Sequence, residues 1–388
     1  MDPRRMLANA SDNASTLLRS RRSGNWKVTA SLLGPAVRGY VLQRGKSANV
    51  CRMEPGHQAC MIFSYLQDMP ELSRLYAAAK QSQWDGATAL DWTTAVDPHD
   101  EEHELISDEI LPLRNLPGYR AMTKHEQQRQ RHALLAWLLS QFLHGEQGAL
   151  LAACQVTEAV GWTEGKLFGS TQVVDEGRHV EVFHRYLTEK LGKTYPVNDN
   201  LYVIMDALLS DRRWDIKFLG MQILIEGLAL GSFGTIRNFT REPLLQELLR
   251  RIITDEARHV HYGVVALRDW YGRVLPERER REREDWAFEV VLMMRDRFLA
   301  HEYYEEHWAH AMRRSAWDRA VADSDFMAFF RRTMLKRVVP NLKRIHLLSD
   351  RIRPHYAREG MLAWENERAA PDLSAEDLLE GERPRAEG

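Results

Sequence analysis

The chain has 388 residues, 44% of them apolar, and a formal net charge of −2. That length is enough for a large core and sets a prior of about two or three domains. The near-neutral balance gives no electrostatic case for nucleic-acid or membrane binding.

Charge is uneven along the chain: the first fifty residues carry many Arg and few acids, and the last seventeen, from Asp372, lean acidic. Cys51, Cys60 and Cys154 make no disulfide framework and lack the spacing of a zinc site. A reducing, cytoplasmic setting is therefore expected. No apolar run is read as reaching the ~20 residues that span a bilayer. The start, with "SRRSGNWK", has no hydrophobic segment of a secretory signal and reads as a floppy basic arm rather than a transit peptide.

Residues 1–60 have no clear assignment. A helix is expected from about Glu71, with Trp84 and Trp92 as packing residues. From Asp97 to Pro117 the chain is a Pro- and acid-rich connection. Its His99 and His103 read as solvated rather than as metal ligands. A long helix is expected from about Thr123 to Val160, broken at Gly161–Thr163, and a second from about Glu164 to Leu191, closed by Gly192. The cluster "KTYPVNDN" is a turn, followed by a short helix "LYVIMDALLS".

A third long helix is expected from about Asp211 to Asn238, and a fourth from Pro243 to about Tyr271 with Thr240 as its N-cap. The charge run "PERERRERED" reads as a solvated face or link. Helices over about 284–313 and 322–350 follow, with a kink at Pro340, and then a disordered tail from Ala369. The fold class is all-α. The expected organisation is an N-terminal extension (1–122), a four-helix bundle (123–272), C-terminal helices packed on it (273–368) and a disordered end (369–388).

Two stretches carry the chemistry: "VVDEGRHVEVF" from Val173 and "ITDEARHVHYG" from Ile253, each with Asp-Glu-x-Arg-His. Glu176 and His179, three apart, share one helix face, as do Glu256 and His259. Glu-x-x-His alone is weak, and it occurs four times here. Glu54–His57 falls on a turn, and Glu181–His184 points about 140° away from the Glu176 stripe.

The signal strengthens upstream. Glu146 lies thirty residues before Glu176, and Glu226 thirty before Glu256, each on an apolar helix stripe. The first stripe contains Leu135, Leu139 and Phe142, the second Leu219, Ile223 and Phe233. A lone acid facing a core costs several kcal/mol unless it is paired or bound to metal. Thirty residues allow ~13 up, a turn and ~13 down, which brings each Glu level with its Glu-x-x-His.

Two such hairpins, joined by a link over about Lys193–Ser210 that crosses the bundle lengthwise, put four carboxylates and two imidazoles at one height. Two divalent cations would balance four carboxylates. Oxygen ligands with some imidazole suit iron or manganese. Asp175 and Asp255, off the stripe, are placed to accept the free N–H of the histidine on the opposite hairpin, with Arg178 and Arg258 pairing to them.

As a set, Glu146, Asp175-Glu176-Gly-Arg178-His179, Glu226 and Asp255-Glu256-Ala-Arg258-His259 resemble the ferritin-like di-iron carboxylate superfamily over residues 123–272. That superfamily includes the large subunits of bacterial multicomponent monooxygenases, acyl-carrier-protein desaturases and ribonucleotide reductase small subunits. The resemblance implies a ferritin-like four-helix bundle. It also implies that Glu146 and His179 hold one iron, Glu226 and His259 the other, with Glu176 and Glu256 bridging.

Departures narrow the resemblance. Phe183 stands where radical-generating reductases carry Tyr. Ile252 stands where arylamine N-oxygenases carry a third His. Ala229 and Leu230 stand where desaturases and hydroxylases often carry Thr. Proton delivery is left unassigned, with Gln172 the polar residue to examine.

The leading expectation is an oxygen-activating enzyme that hydroxylates, desaturates or N-oxygenates an organic substrate. It would use two iron ions (or an Mn/Fe pair), dioxygen as co-substrate and an external electron donor. A reductase partner is expected because no Gly-rich dinucleotide fingerprint is present. A homodimer is left open; nucleic-acid and membrane partners are not expected. Phe142, Ala149, Leu150, Phe183, Ala229, Leu230, Phe233 and Ile252 are the expected apolar pocket. The alternatives are a ferroxidase or iron-storage protein and a structural protein with a dead site. The run "HEYYEEHWAH", with His307 and His310, reads as packing, and His144, His184 and His261 as hydrogen-bonded or exposed.

Overall fold

The computed structural model describes residues 3–13, 22–47, 50–98, 105–110 and 112–379, and no β-strand occurs among them. Four helices carry the centre of the molecule. Following α1 (Pro3–Asp12), α2 (Trp26–Ala36) and α3 (Pro70–Gln81), the first of the four is α4, 36 residues from Lys124 to Ala159. It opens with a capping box: Thr123 Oγ1 accepts from Glu126 N, and the Glu126 carboxylate accepts from Thr123 N at 2.7 Å.

Next, α5 (Thr163–Arg185) loosens into a π-helical turn over Tyr186–Leu191. Gly192 ends it in the left-handed conformation, φ 61°, that favours glycine. The crossover helix α6 (Asp199–Ser210) starts on its Asn198 cap. It runs alongside α4 in the same direction. Asn198 N donates to Gln141 Oε1 near its start, and Met205 packs at Gly148 further on. The link therefore traverses the bundle, so α7 (Trp214–Phe239) runs parallel to α5 and antiparallel to α4. Close approaches along that run are Trp214 to Trp162, Gln222 to Gln172 and Phe233 to Phe142.

Helix α8 (Pro243–Asp269) then returns beside α5, with His259 against Phe168. Its N-cap is Glu242 rather than Thr240. Pro243 occupies the first helical position, and that fixes the cap one residue before it. The Glu242 carboxylate accepts from Leu244 N and Leu245 N at 2.8 and 2.7 Å, and Thr240 Oγ1 accepts from Glu242 N.

Two features of α7 differ from expectation. By length and composition it could cross a membrane, but 94% of its most apolar window is buried inside the protein. Its middle, Leu219–Ile225, is π-helical and ends at Glu226. Such widened turns are rare and concentrate at functional sites.

The flanking segments are docked more firmly than the charge pattern suggests. The run starting at Pro276 opens α9 (Glu277–Asp296). Arg283, Glu284 and Asp285 within it are buried, because Arg283 pairs with Asp215 at 2.8 Å and Arg351 reaches both acids at 2.8 Å. The expected helix over 284–313 breaks at Ala300, whose φ of 52° is left-handed, and resumes as α10 (His301–His307). The expected helix over 322–350 is α12 (Asp325–Arg344), capped by Ser324 and with Pro340 inside it, and the stretch before it holds an unexpected short helix, α11 (Arg314–Ala322).

The tail expected to be disordered from Ala369 packs as far as Leu379. Leu378 is buried, and the Leu379 carbonyl accepts from Arg237 at 3.1 Å. Residues 380–388 lie outside the described residues. In the basic arm, residues 14–21 lie outside them too, while Ser23 N donates to Glu289 and Asn25 to Asp285.

Candidate metal centre

All six side chains singled out by the repeat converge. Glu146 comes from α4, Glu176 and His179 from α5, Glu226 from α7, and Glu256 and His259 from α8. None is more than 5% exposed. They form two overlapping groups, Glu146–Glu176–His179–Glu256 and Glu176–Glu226–Glu256–His259, with the potential ligand atoms of each group within 4.8 Å of one another. Glu176 and Glu256 belong to both.

Both imidazoles aim Nδ1 at the carboxylates. His179 Nδ1 lies 3.4 Å from Glu146, 3.3 Å from Glu176 and 3.2 Å from Glu256. His259 Nδ1 lies 3.1 Å from Glu176 and 3.5 Å from Glu256. The ring centroids are 6.1 Å apart.

The opposite nitrogens cross between the hairpins. His179 Nε2 meets Asp255 Oδ2 and His259 Nε2 meets Asp175 Oδ2, each at 3.2 Å. An ionised carboxylate only accepts, so each Nε2 donates and each Nδ1 is turned inward. Arg178 donates to both aspartates and Arg258 to Asp255, and Arg258 lies 3.7 Å from Asp175, so two acids and two cations alternate around a ring.

Trp84 does more than pack. Its indole N–H also donates to Asp255 Oδ2 at 2.7 Å, and the Arg178 guanidinium lies over its ring at 4.6 Å. Gln83 bridges Asp175 and Arg178. The turn after α3 thus supports the site, and no spacing rule in the sequence ties residue 84 to residue 255.

Electrostatics test whether the residues present fit a cation. Burial first, then the neighbouring Glu256 carboxylate, pushes Glu146 well above the usual carboxylate range; Glu226 is pushed up by burial, Glu256 and Glu176. Burial alone would lower both histidines, but the surrounding carboxylates outweigh it and raise them well above 6.5. Burial would likewise raise Glu176, and the two imidazoles hold it below its ordinary range instead. Glu176 Oε2, Glu226 Oε2, both Glu256 oxygens and His259 Nδ1 are buried without a hydrogen-bond partner. Five such atoms turned toward one point are a heavy penalty for a bare protein. Oxygen and imidazole donors around divalent cations remove it.

The surroundings of the two ligand groups differ. Beside Glu226 lie Gln172 and Gln222. Gln172 Nε2 donates to Glu176 Oε1 at 3.0 Å and to Glu226 Oε1 at 2.9 Å, and Gln222 donates to Gln172 at 3.3 Å. The positions corresponding to them in the other half are Ile252 and Phe142. Phe142 packs edge-on against Phe233 at 4.6 Å and also touches Phe183.

A cleft with about 300 Å³ of empty space, part of it open to solvent, lies beside the carboxylates. It is lined by Gln141, Phe142, Gly145, Glu146, Ala149, Ile225, Glu226, Ala229, Glu256 and Arg297. Of the expected pocket, Phe142, Ala149 and Ala229 line it. Phe183, Leu230, Phe233 and Ile252 are buried core instead, and Leu150 is half-buried outside the lining. Phe142 and the small residues Gly145, Ala149 and Ala229 border the gap between α4 and α7, and the larger side chains of Leu230, Phe233, Phe183 and Ile252 pack outside it. A larger apolar cavity, about 540 Å³ and lined by residues such as Trp137, Leu138, Phe298 and Trp317, has no ionisable wall. Only the smaller one is walled by potential metal ligands.

The remaining histidines stand apart from this cluster. His144 bonds the Tyr195 carbonyl, His261 bonds Glu71, His57 bonds Glu158, and Glu181 and His184 are exposed. His307 contacts Tyr195 while His310 is exposed beyond the end of α10. His99 and His103 lie outside the described residues.

No protein-family model matches the chain, and no curated protein matches it. The molecule is an all-α protein whose bundle encloses carboxylate and imidazole groups able to hold a metal ion.

Proposed function

We propose that this chain is a non-haem di-iron oxidoreductase of the ferritin-like kind, which uses dioxygen to oxidise a largely apolar organic substrate. The observation that carries the reading is the paired ligand set: two groups of four that share Glu176 and Glu256. Glu146 and His179 would hold one metal, Glu226 and His259 the other, and Glu176 and Glu256 would lie between them. Iron bound there supplies dioxygen activation.

The chain's own residues do the rest. Asp255 and Asp175 fix the ring orientation of the two histidines through Nε2. Gln172 holds Glu176 and Glu226 in place. Phe142, Ala149 and Ala229 present an apolar wall that excludes water from the substrate's side. Electrons would come from a separate reductase.

The test is anaerobic loading with ferrous iron, metal counting, and absorption spectra on exposure to dioxygen with and without candidate substrates. Two metals per chain and a dioxygen-dependent band that decays faster with substrate are expected. Fewer than two metals per chain would refute the reading. Continued iron oxidation far beyond two per chain would replace it with iron storage.

A further inference from the structure

Metal holding does not explain Arg297. It opens a tight 3₁₀ turn, Arg297–Leu299, immediately after α9. The turn is pinned by Trp317, whose indole N–H donates to the Leu299 carbonyl at 2.6 Å. Arg297 is only 3% exposed, and it lines the same cavity as Glu146, Glu226 and Glu256.

Other buried guanidinium groups in the chain are matched: Arg283 by Asp215 and Arg178 by Asp175 and Asp255. Among the described residues Arg297 has neither a carboxylate nor a hydrogen-bond acceptor, and its Nε is buried with no partner. Its aromatic contact is the ring of Phe298, 4.8 Å away. Burial alone pushes its pKa down to about 10, with no nearby carboxylate offsetting it, so it stays charged at neutral pH. A buried cation without a counter-ion is strongly destabilising, and such a group facing a cavity calls for an anion that enters the cavity.

We propose that Arg297 anchors a carboxylate group of the organic substrate, so that the site takes small apolar monocarboxylic acids in preference to neutral molecules. This rests on the oxidoreductase reading above. Four carboxylates and two divalent cations balance, which leaves Arg297 as one uncompensated positive charge in the lining and favours a monoanion over a dianion. The planar guanidinium matches a carboxylate with two parallel hydrogen bonds. With the acid group on Arg297, the apolar body lies along Phe142, Ala149 and Ala229, and brings its carbons beside Glu146 and Glu226. The lining is narrow and partly open, so the probes of choice are slender: a short alkyl chain or a single ring.

The experiment uses the full chain loaded with Mn(II), which is redox-inert here, and isothermal titration with octanoate and 4-phenylbutanoate against octanamide and 4-phenylbutanamide. Wild type, Arg297→Gln and Arg297→Lys are compared, with metal count and circular dichroism recorded for each. The acids are expected to bind wild type about tenfold or more tightly than the amides. Arg297→Gln should abolish that preference at an unchanged two metals per chain, and Arg297→Lys should keep part of it. A carboxylate could also ligate the metal directly, so the wild-type titration is repeated on metal-free protein, where the preference must persist; this arm decides even if the variants fail to fold.

Equal binding of acids and amides overturns the inference. So does a preference that survives in Arg297→Gln, or no binding by any of the four probes. Two metals per chain without acid preference would sink this inference alone, whereas fewer than two would sink the oxidoreductase reading.

Discussion

Replacing Asp255 by Asn separates the two halves of the proposed metal centre. Asp255 receives four donors: His179 Nε2 at 3.2 Å, Trp84 Nε1 at 2.7 Å, Arg178 at 3.1 Å and the closely paired Arg258. An Asn has the same size but turns one –NH₂ toward donors whichever way it flips. Losing such a partner behind a metal-bound imidazole costs about 10–100-fold in metal affinity.

Only His179 depends on Asp255; His259 has its own partner in Asp175 at 3.2 Å. A competition titration with Mn(II) against a chelator should therefore turn biphasic, with one metal near wild-type affinity and one weakened by about 10–100-fold. Asp175→Asn should weaken the other position, and Asp255→Asn added to His179→Ala should cost no more than His179→Ala alone.

The substitution also removes a buried charged acceptor, worth about 1–3 kcal/mol. Burial opposes ionisation of Asp255, but His179, Arg258 and Trp84 outweigh it and hold its carboxyl below the ordinary value. Its stabilisation is therefore fully present above the unfolded pKa of ~3.9 and is lost only as pH falls through the lower native value. The stability deficit should be complete at neutral pH and vanish in strong acid. Two metals bound with wild-type affinity, or equal weakening of both with unchanged melting, would refute the cross-hairpin argument.

Three further outcomes follow from the same geometry. Metal uptake should expel about two or more protons per metal pair at neutral pH, because the metal-free site holds both histidines and Glu146 and Glu226 above their ordinary pKa values. Affinity should therefore fall with falling pH; calorimetry in buffers of different ionisation enthalpy measures the release, and zero release contradicts the electrostatics. Glu226→Ala should raise the melting temperature of metal-free protein, by removing a carboxyl that burial first, and then Glu256 and Glu176, make costly to keep in the core, while cutting bound metal to about one per chain; a lower metal-free melting temperature goes against this. At Gly145 an added Cβ meets nothing within 4 Å. Gly145→Ala should therefore gain about 0.5–1 kcal/mol from helix propensity yet obstruct the cavity, so that urea unfolding shifts up while binding of apolar probes weakens.

The core of the site was legible because it is written twice. Repetition at matched spacing turned a weak Glu-x-x-His into a six-residue set, and helical periodicity placed Glu146 and Glu226 inward. The cross-hairpin aspartates followed from the same symmetry. What breaks the symmetry was not legible. The π-helical stretch before Glu226 depends on how α7 fits its neighbours: at Gly220 a Cβ would stand 3.0 Å from Trp286 and 3.1 Å from Leu208. Trp84 reaches Asp255 from a loop after α3, 171 residues away in the chain, and Arg297 reaches the cavity from a turn after α9, outside the four helices that carry the repeat. The packed end at Leu379 was hidden for the opposite reason. Acidic, polar composition argues for disorder, but one buried Leu378 and a carbonyl on Arg237 tie the segment down.

That broken symmetry bears on how the two proposed metal positions would divide the work. The ligand types are the same, so differences must come from what stands a turn away. Around Glu226, Gln172 and Gln222 supply amide donors and acceptors, and Gly263 is needed for close packing, since a Cβ there would lie 2.7 Å from Gln222. Around Glu146 the corresponding places hold Phe142, Ile252 and Phe183. A hydrogen-bonded carboxylate is held in one orientation, whereas one with only apolar neighbours is free to swing. Both carboxylates line the cavity, but Glu226 Oε1 is tethered to Gln172 whereas the hydrogen-bond contact of Glu146 is His179 at 3.4 Å. Under the proposed reading, Glu146 would therefore be the less constrained of the two terminal ligands and Glu226 the tethered one.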